Sequence, residues 1–221
     1  MIGWFAHNGD RLADLLGEHL WLTVWPLVAT LVVSVPLGAA AARVRWLRGL
    51  LLPLSGVLYT IPSLALFLVL PSLLGTRVLD PINVIVALSL YGCALMVRTA
   101  VDAFTQVPAS VQEAATALGY GRLRRFASVD LPLAAPVLVA GMRVVTVSTV
   151  SLVSVGALIG VGGLGVLFTS GYQRSYPAEV GAGIITILAL ALVLDGLLIL
   201  VGRLLTPWQR ARGAGHGGGD A

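Results

Sequence analysis

The chain has 221 residues, of which 57% are hydrophobic and only 11% charged, against about 25% charge in an ordinary soluble domain. A soluble fold of this length could not bury so much apolar surface and still present a polar exterior, so the composition points to a lipid bilayer as solvent. The formal charge is +4 and every basic residue is arginine. These arginines are spread over short segments rather than gathered in one patch, which argues for membrane orientation and against nucleic acid.

The amino terminus, Met1 to Glu18, has no basic region ahead of an apolar core and carries Asp10, Asp14 and Glu18. It does not read as a cleavable signal. Leu12, Leu15, Leu16, His19 and Leu20 share roughly one helical face, so residues 1–19 are expected to form an amphipathic surface helix or the lead-in to a span. Five apolar runs follow, each expected to be a transmembrane helix: 20–42, 50–74, 82–97, 133–158 and 180–201. Helices are required because backbone groups in lipid must pair within their own segment or in a closed barrel, and these runs lack the alternation of barrel strands. The fold class expected is an all-α integral membrane protein with about five spans. Its membrane unit covers residues 20–205, and a glycine-rich tail, 206–221, reads as disordered.

With the amino terminus outside, the inner segments hold Arg43, Arg45, Arg48, Arg98, Arg122, Arg124, Arg125, Arg203, Arg210 and Arg212. The outer ones hold only Arg11, Arg77 and Arg174. That bias puts the carboxyl terminus inside. Pro26 and Pro36 fall in the first span, and Pro53, Pro62 and Pro71 in or near the second, where each removes a backbone donor and favours a kink. Pro62 is read as a gating or kink position, with shape alone as the alternative.

The longest inner segment, 102–130, is too polar to cross but reads as helical. Pro108 and Ser110 make a start signal, with Ser110 and Glu113 spaced as a capping box, Val111, Ala114, Ala115 and Leu118 recur at helical spacing, and Gly119 and Gly121 end the helix. Leu131 and Pro132 mark the start of the fourth span. Alanines on one face would let a partner approach closely, and the glycine would allow a sharp turn.

Glu113-Ala114-Ala115, then Gly119, Val129 and Leu131-Pro132, resembles the EAA signature of ABC importer permeases, with valine at 129 where isoleucine is usual. The resemblance implies a methionine-importer-like fold in a cell (inner or plasma) membrane and a cytoplasmic coupling helix. It also implies partners: ABC ATPase subunits that hydrolyse ATP, a second permease chain, identical or homologous, and an extracytoplasmic solute-binding protein. Thr60-Ile61-Pro62-Ser63-Leu64-Ala65, Ala140-Gly141-Met142-Arg143 and Ile159-Gly160-Val161-Gly162-Gly163-Leu164-Gly165 resemble the permeases for glycine betaine, choline and related osmoprotectants. A permease for another small solute such as an amino acid, or a secondary transporter, stays open as the alternative.

No catalytic residues, cofactor or metal are expected. Cys93 is the lone cysteine, and His7, His19 and His216 are scattered. No G-x-x-x-x-G-K-[ST] loop is present, which leaves ATP hydrolysis to a partner. Gly160, Gly162 and Gly165 spell a dinucleotide fingerprint with Glu179 downstream, but the motif requires a preceding strand; helix packing or an outer gate, including Gly163, is the better reading. Tyr172 and Tyr176 are the clustered aromatics expected outside, as interface anchors, which leaves selectivity to the binding protein.

Arg143 lies eleven residues after Pro132, and Asp195 eight before Arg203. At 1.5 Å per residue their depths are about 16 and 12 Å. The two are expected either to pair within the membrane, or to separate, with Arg143 reaching inward and Asp195 meeting another helix or water.

Overall fold

In the computed structural model, which describes residues 2–207, ten α-helices carry the chain. Arg210, Arg212 and the glycine-rich tail lie outside the described residues. Helix α1 (Ile2–His7) leads into α2 (Gly9–Arg43), followed by α3 (Arg45–Thr60), α4 (Ser63–Leu74) and α5 (Pro81–Thr105). Then come α6 (Ala109–Ala117), α7 (Arg122–Arg125), a π-helical turn (Phe126–Asp130) and α8 (Leu131–Gly156). A 3-10 turn (Ala157–Ile159), α9 (Val166–Gln173) and α10 (Pro177–Leu205) complete the chain. Four continuous helical stretches are long and apolar enough to span a bilayer, and α3 with α4 makes a fifth as a bent pair.

Proline and aspartate place the helix starts. Pro81 and Pro177 stand in the first turns of α5 and α10, where a missing N–H costs nothing. Asp80 caps α5 by accepting from the Ile82 amide at 3.0 Å. Gly75, at φ +68°, closes α4 in the left-handed region.

The core is built around α5, half of whose residues are buried, against 6% of the most apolar stretch of α10. α2 meets α5 through a stripe of small residues: Thr23, Thr30, Ser34, Gly38 and Ala41 are all buried. A Cβ on Gly38 would stand 2.3 Å from the Ala100 Cβ, and one on Gly92 2.1 Å from the Thr30 hydroxyl. Without a hydrophobic force between helices in lipid, such close backbone approach is what holds them together.

Two expectations need correction, and one pair of alternatives is resolved. The second span is not one helix: α3 and α4 meet at an angle of 104°. Pro62 has no N–H for the Leu58 carbonyl, which instead takes the Ile61 amide at 3.3 Å, and the helix stops. Pro26 and Pro36, by contrast, lie inside an unbroken α2. Of the two alternatives for the apolar face of residues 12–20, the lead-in to a span is the one found. It is part of the 35-residue α2, about 52 Å long, and packs on the cluster formed by Trp4, Leu164, Leu167 and Ala182. Finally, no loop separates residues 122–130 from the fourth span. α7, the π-turn and α8 form one rod from Arg122 to Ile159.

Candidate functional site

The segment that carries the EAA-like signature is a short helix standing off one end of the bundle. Its start differs from the expected capping box. The cap is Pro108, in extended backbone, and no side chain closes the first turn; proline already sets the φ that begins the helix, so Ser110 lies within it. The end follows the glycine logic in full. Gly119 takes φ +79°, its amide donates to the Thr116 carbonyl at 3.0 Å, and the Tyr120 amide donates to the Ala115 carbonyl at 3.1 Å. These are the two bonds of a Schellman motif.

Within the chain α6 buries only Ala115, while Glu113 and Ala114 remain exposed and Leu118 is 78% exposed. A shallow hollow of about 360 Å³ lies beside it, lined by Gln112, Glu113, Thr116 and Arg125. An exposed, capped helix with small residues on its outer side is a surface that a partner can approach closely.

The attachment of α6 to the bundle is polar and aromatic. Arg125 donates to the Thr116 hydroxyl at 3.2 Å, and its Nε lies 3.6 Å from the Asp130 carboxylate. Asp130 is 1% exposed and also accepts from Arg43 at the end of α2. Phe126 in the π-turn stacks on Phe104 of α5 at 5.7 Å, and the Arg124 guanidinium sits 4.3 Å above the Tyr120 ring. One buried carboxylate thus ties the segment after α6 to α2, within a rod that continues as α8. Leu131 and Pro132 stand at the first turn of α8, directly after the π-turn. Sequence reading did not single out Asp130, whose partner Arg43 lies 87 residues away.

Arg143 and Asp195 meet side by side: Arg143 Nε donates to Oδ1 at 2.7 Å and Nη2 to Oδ2 at 2.8 Å. The paired arrangement is the bidentate fork that guanidinium and carboxylate geometry favours. It joins α8 to α10.

The glycine segment lies at the opposite end of the bundle. It follows a 3-10 turn of a helix, not a strand, so the context of a dinucleotide fingerprint is not the one found. Instead it wraps the first half of α2. The Gly163 amide donates to Glu18 at 2.9 Å and the Leu164 amide to His19 Nδ1 at 3.2 Å. His19 Nε2 therefore carries the proton that it gives to the Val150 carbonyl at 3.1 Å. A Cβ on Gly162 would stand 2.1 Å from Glu18, and one on Gly165 2.3 Å from the Ser154 carbonyl. Gly160 and Gly163 both take φ +83°. Beside them Glu179, fully buried, accepts from Arg11 at 2.9 Å, from Ser170 at 2.6 Å and from Arg174. Glu18, His19 and Glu179 were not legible as partners, since they contact residues up to 168 positions away. Tyr172 is 85% exposed and Tyr176 45%.

The family described as "Binding-protein-dependent transport system inner membrane component" matches residues 34–210. The chain belongs to this family. It is therefore an inner-membrane permease component of a transport system served by a binding protein. It is 34% identical to the osmoprotectant import permease protein OsmW of Salmonella typhimurium, over 93% of this chain and 97% of that one. It is 29% identical to the choline transport system permease protein OpuBD of Bacillus subtilis, over 98% and 95%. An inward-facing structure of the MetNI methionine ABC transporter matches with a TM-score of 0.67 at 24% identity, covering 88% of this chain and 94% of that one. At that identity the likeness concerns the fold alone.

Proposed function

We propose that the chain is the permease of an ABC importer for quaternary ammonium osmoprotectants of the glycine betaine and choline type. The relatives named for osmoprotectant and choline transport, similar over nearly the whole chain, support the substrate class. The amino-terminal end, residues 1–19, faces outward with the Glu18–His19–Gly163 contacts. The membrane unit covers 20–205, segment 102–130 faces the cytoplasm, and the tail 206–221 follows inside, as the arginine distribution demands. Reporter fusions after Arg125 and after Arg212 should both read cytoplasmic; a periplasmic signal at either would overturn the orientation.

α6 is the coupling helix. It docks on an ATPase subunit that hydrolyses ATP, and the two permease chains, two ATPase chains and one external binding protein make the working unit. The observation that carries this is the exposure of Glu113 and Ala114 on a capped helix that leads into the same rod as span four. Motion imposed on α6 reaches α8 through the π-turn and α2 through Asp130. The test is uptake of radiolabelled glycine betaine and choline by proteoliposomes holding the complete transporter and its binding protein. Uptake that depends on ATP and on the binding protein is expected; uptake of neither, in a complex that hydrolyses ATP, would overturn the substrate class.

A further inference from the structure

The break between α3 and α4 lies deep in the membrane. Tyr91 of α5 donates its hydroxyl to the Ile61 carbonyl at the break. Tyr91 stands ten residues into a helix that starts at Pro81, about 15 Å along its axis and so near the middle of a core of about 30 Å. Irregular backbone at such depth is tolerated where protein covers it or where it lines a water-filled cavity, and not against lipid.

This backbone is not covered within the chain. Tyr59, Thr60, Ile61 and Pro62 are all exposed. The Thr60 hydroxyl is turned back onto the Val57 carbonyl at 2.7 Å. No backbone amide among the described residues donates to the carbonyls of Tyr59 and Thr60 across the break. The carbonyl end of a helix carries the negative end of its dipole, here directed to the middle of the membrane. Tyr59 adds an aromatic ring, 47% exposed, held edge-on against Tyr91 at 6.0 Å and 81°. Free carbonyls and an accessible aromatic ring are both attractive to a weakly hydrated cation. Discontinuous helices near the midplane are also where transporters form solute sites.

We propose that the Tyr59–Pro62 break lines the translocation path and is a station for the quaternary ammonium group of the solute, with Tyr59 as the contacting ring. The substrate class rests on the function proposed above; the position of the path does not. The site adds selectivity within the permease to that of the binding protein.

Two arms test it in the complete transporter. With a Cys93→Ala background, Thr60→Cys should react with a trimethylammonium thiol reagent at least tenfold faster than Leu192→Cys, which lies on the exposed, apolar face of α10. Equal rates would overturn the proposal, including the case in which a second copy of this chain seals the break. This arm holds whatever the solute is. In the second arm, Tyr59→Leu should lower uptake of glycine betaine about tenfold at saturating loaded binding protein, equivalent to about 1.4 kcal/mol, while Tyr59→Phe keeps the ring and stays within about twofold of wild type. Wild-type uptake by Tyr59→Leu, or an equal loss in Tyr59→Phe, would overturn the ring's role. Failure of the wild type to carry any quaternary ammonium solute would instead strike the substrate class and leave the labelling arm standing.

Discussion

The two ends of the bundle solve opposite problems with the same residue types. At the end proposed for coupling, Asp130 is buried but α6 itself remains outside, its Glu113 carboxylate and Ala114 open to solvent. At the other end Glu179 is fully buried, and Glu18 and His19 are spent on two backbone amides of the glycine segment and on the Val150 carbonyl of α8. One end therefore leaves the Glu113 carboxylate exposed, whereas the other uses Glu18, His19 and Glu179 inside the chain. A glycine at the coupling end has space around it: a Cβ on Gly119 would meet nothing within 4 Å. The glycines of the 160–165 segment do not, each with a neighbour within 3.2 Å of its Cβ position. The difference separates substitutions that should harm assembly from those that should harm the fold.

The largest stability loss is expected at the far end. Gly165→Val drives a side chain into the Ser154 carbonyl, 2.3 Å from the Cβ position, and should cost about 3 kcal/mol, read as a fall in thermal unfolding temperature in detergent. A wild-type unfolding temperature would mean that the far end is loose. Glu179→Ala comes next. It leaves Arg11 and Arg174 without their shared carboxylate, and because both arginines are partly exposed the loss should be about 2 kcal/mol, below the range for a fully buried pair.

Arg143 and Asp195, between the two ends, sharpen the comparison through an order rather than a size. The double variant Arg143→Leu with Asp195→Leu should be more stable than either single one, since each single change strands a charge in the membrane. A double variant no more stable than the worse single would deny the pair any energetic role.

At the coupling end, Gly119→Val forces a β-branched residue to φ +79° and should cost about 1–2 kcal/mol through the Schellman turn, with ATPase attachment or coupling lost. Valine is a harsher probe than aspartate, which tolerates the left-handed region better. Glu113→Lys should have the smallest effect on stability, within about 0.5 kcal/mol, yet weaken attachment or uncouple hydrolysis from uptake. Normal uptake by both variants at normal expression would remove the coupling role.

Much of this arrangement was legible because long apolar runs in lipid leave the backbone little choice but a helix. The fixed rise of a helix is also why depths reckoned from Pro132 and Arg203 brought Arg143 and Asp195 to nearly one level, and the two groups are 2.7 Å apart. Gly119 was readable since its turn is local. Pro62 was read as a kink position, but a full break there was not legible, because proline alone does not say how far a helix bends: Pro26 and Pro36 sit in a continuous α2 while Pro62 ends α3. The Ser110 capping box failed because Pro108 already starts the helix two residues earlier. The pairings Glu18–Gly163, His19–Leu164, Arg11–Glu179 and Arg43–Asp130 join residues 87 to 168 positions apart, and no periodicity in one chain encodes them. Tyr59 and Tyr91 escaped notice for the same reason, being brought together across two spans.

The most direct test of the account is a photo-crosslink from position 113 in the assembled transporter, with position 172 as the control, since Tyr172 is exposed at the opposite end. A crosslinker at 113 should capture the ATPase subunit, and one at 172 should not. Capture of the ATPase from 172, or its absence from 113 in a complex that hydrolyses ATP, would contradict the claim that α6 is where hydrolysis is coupled to the membrane helices.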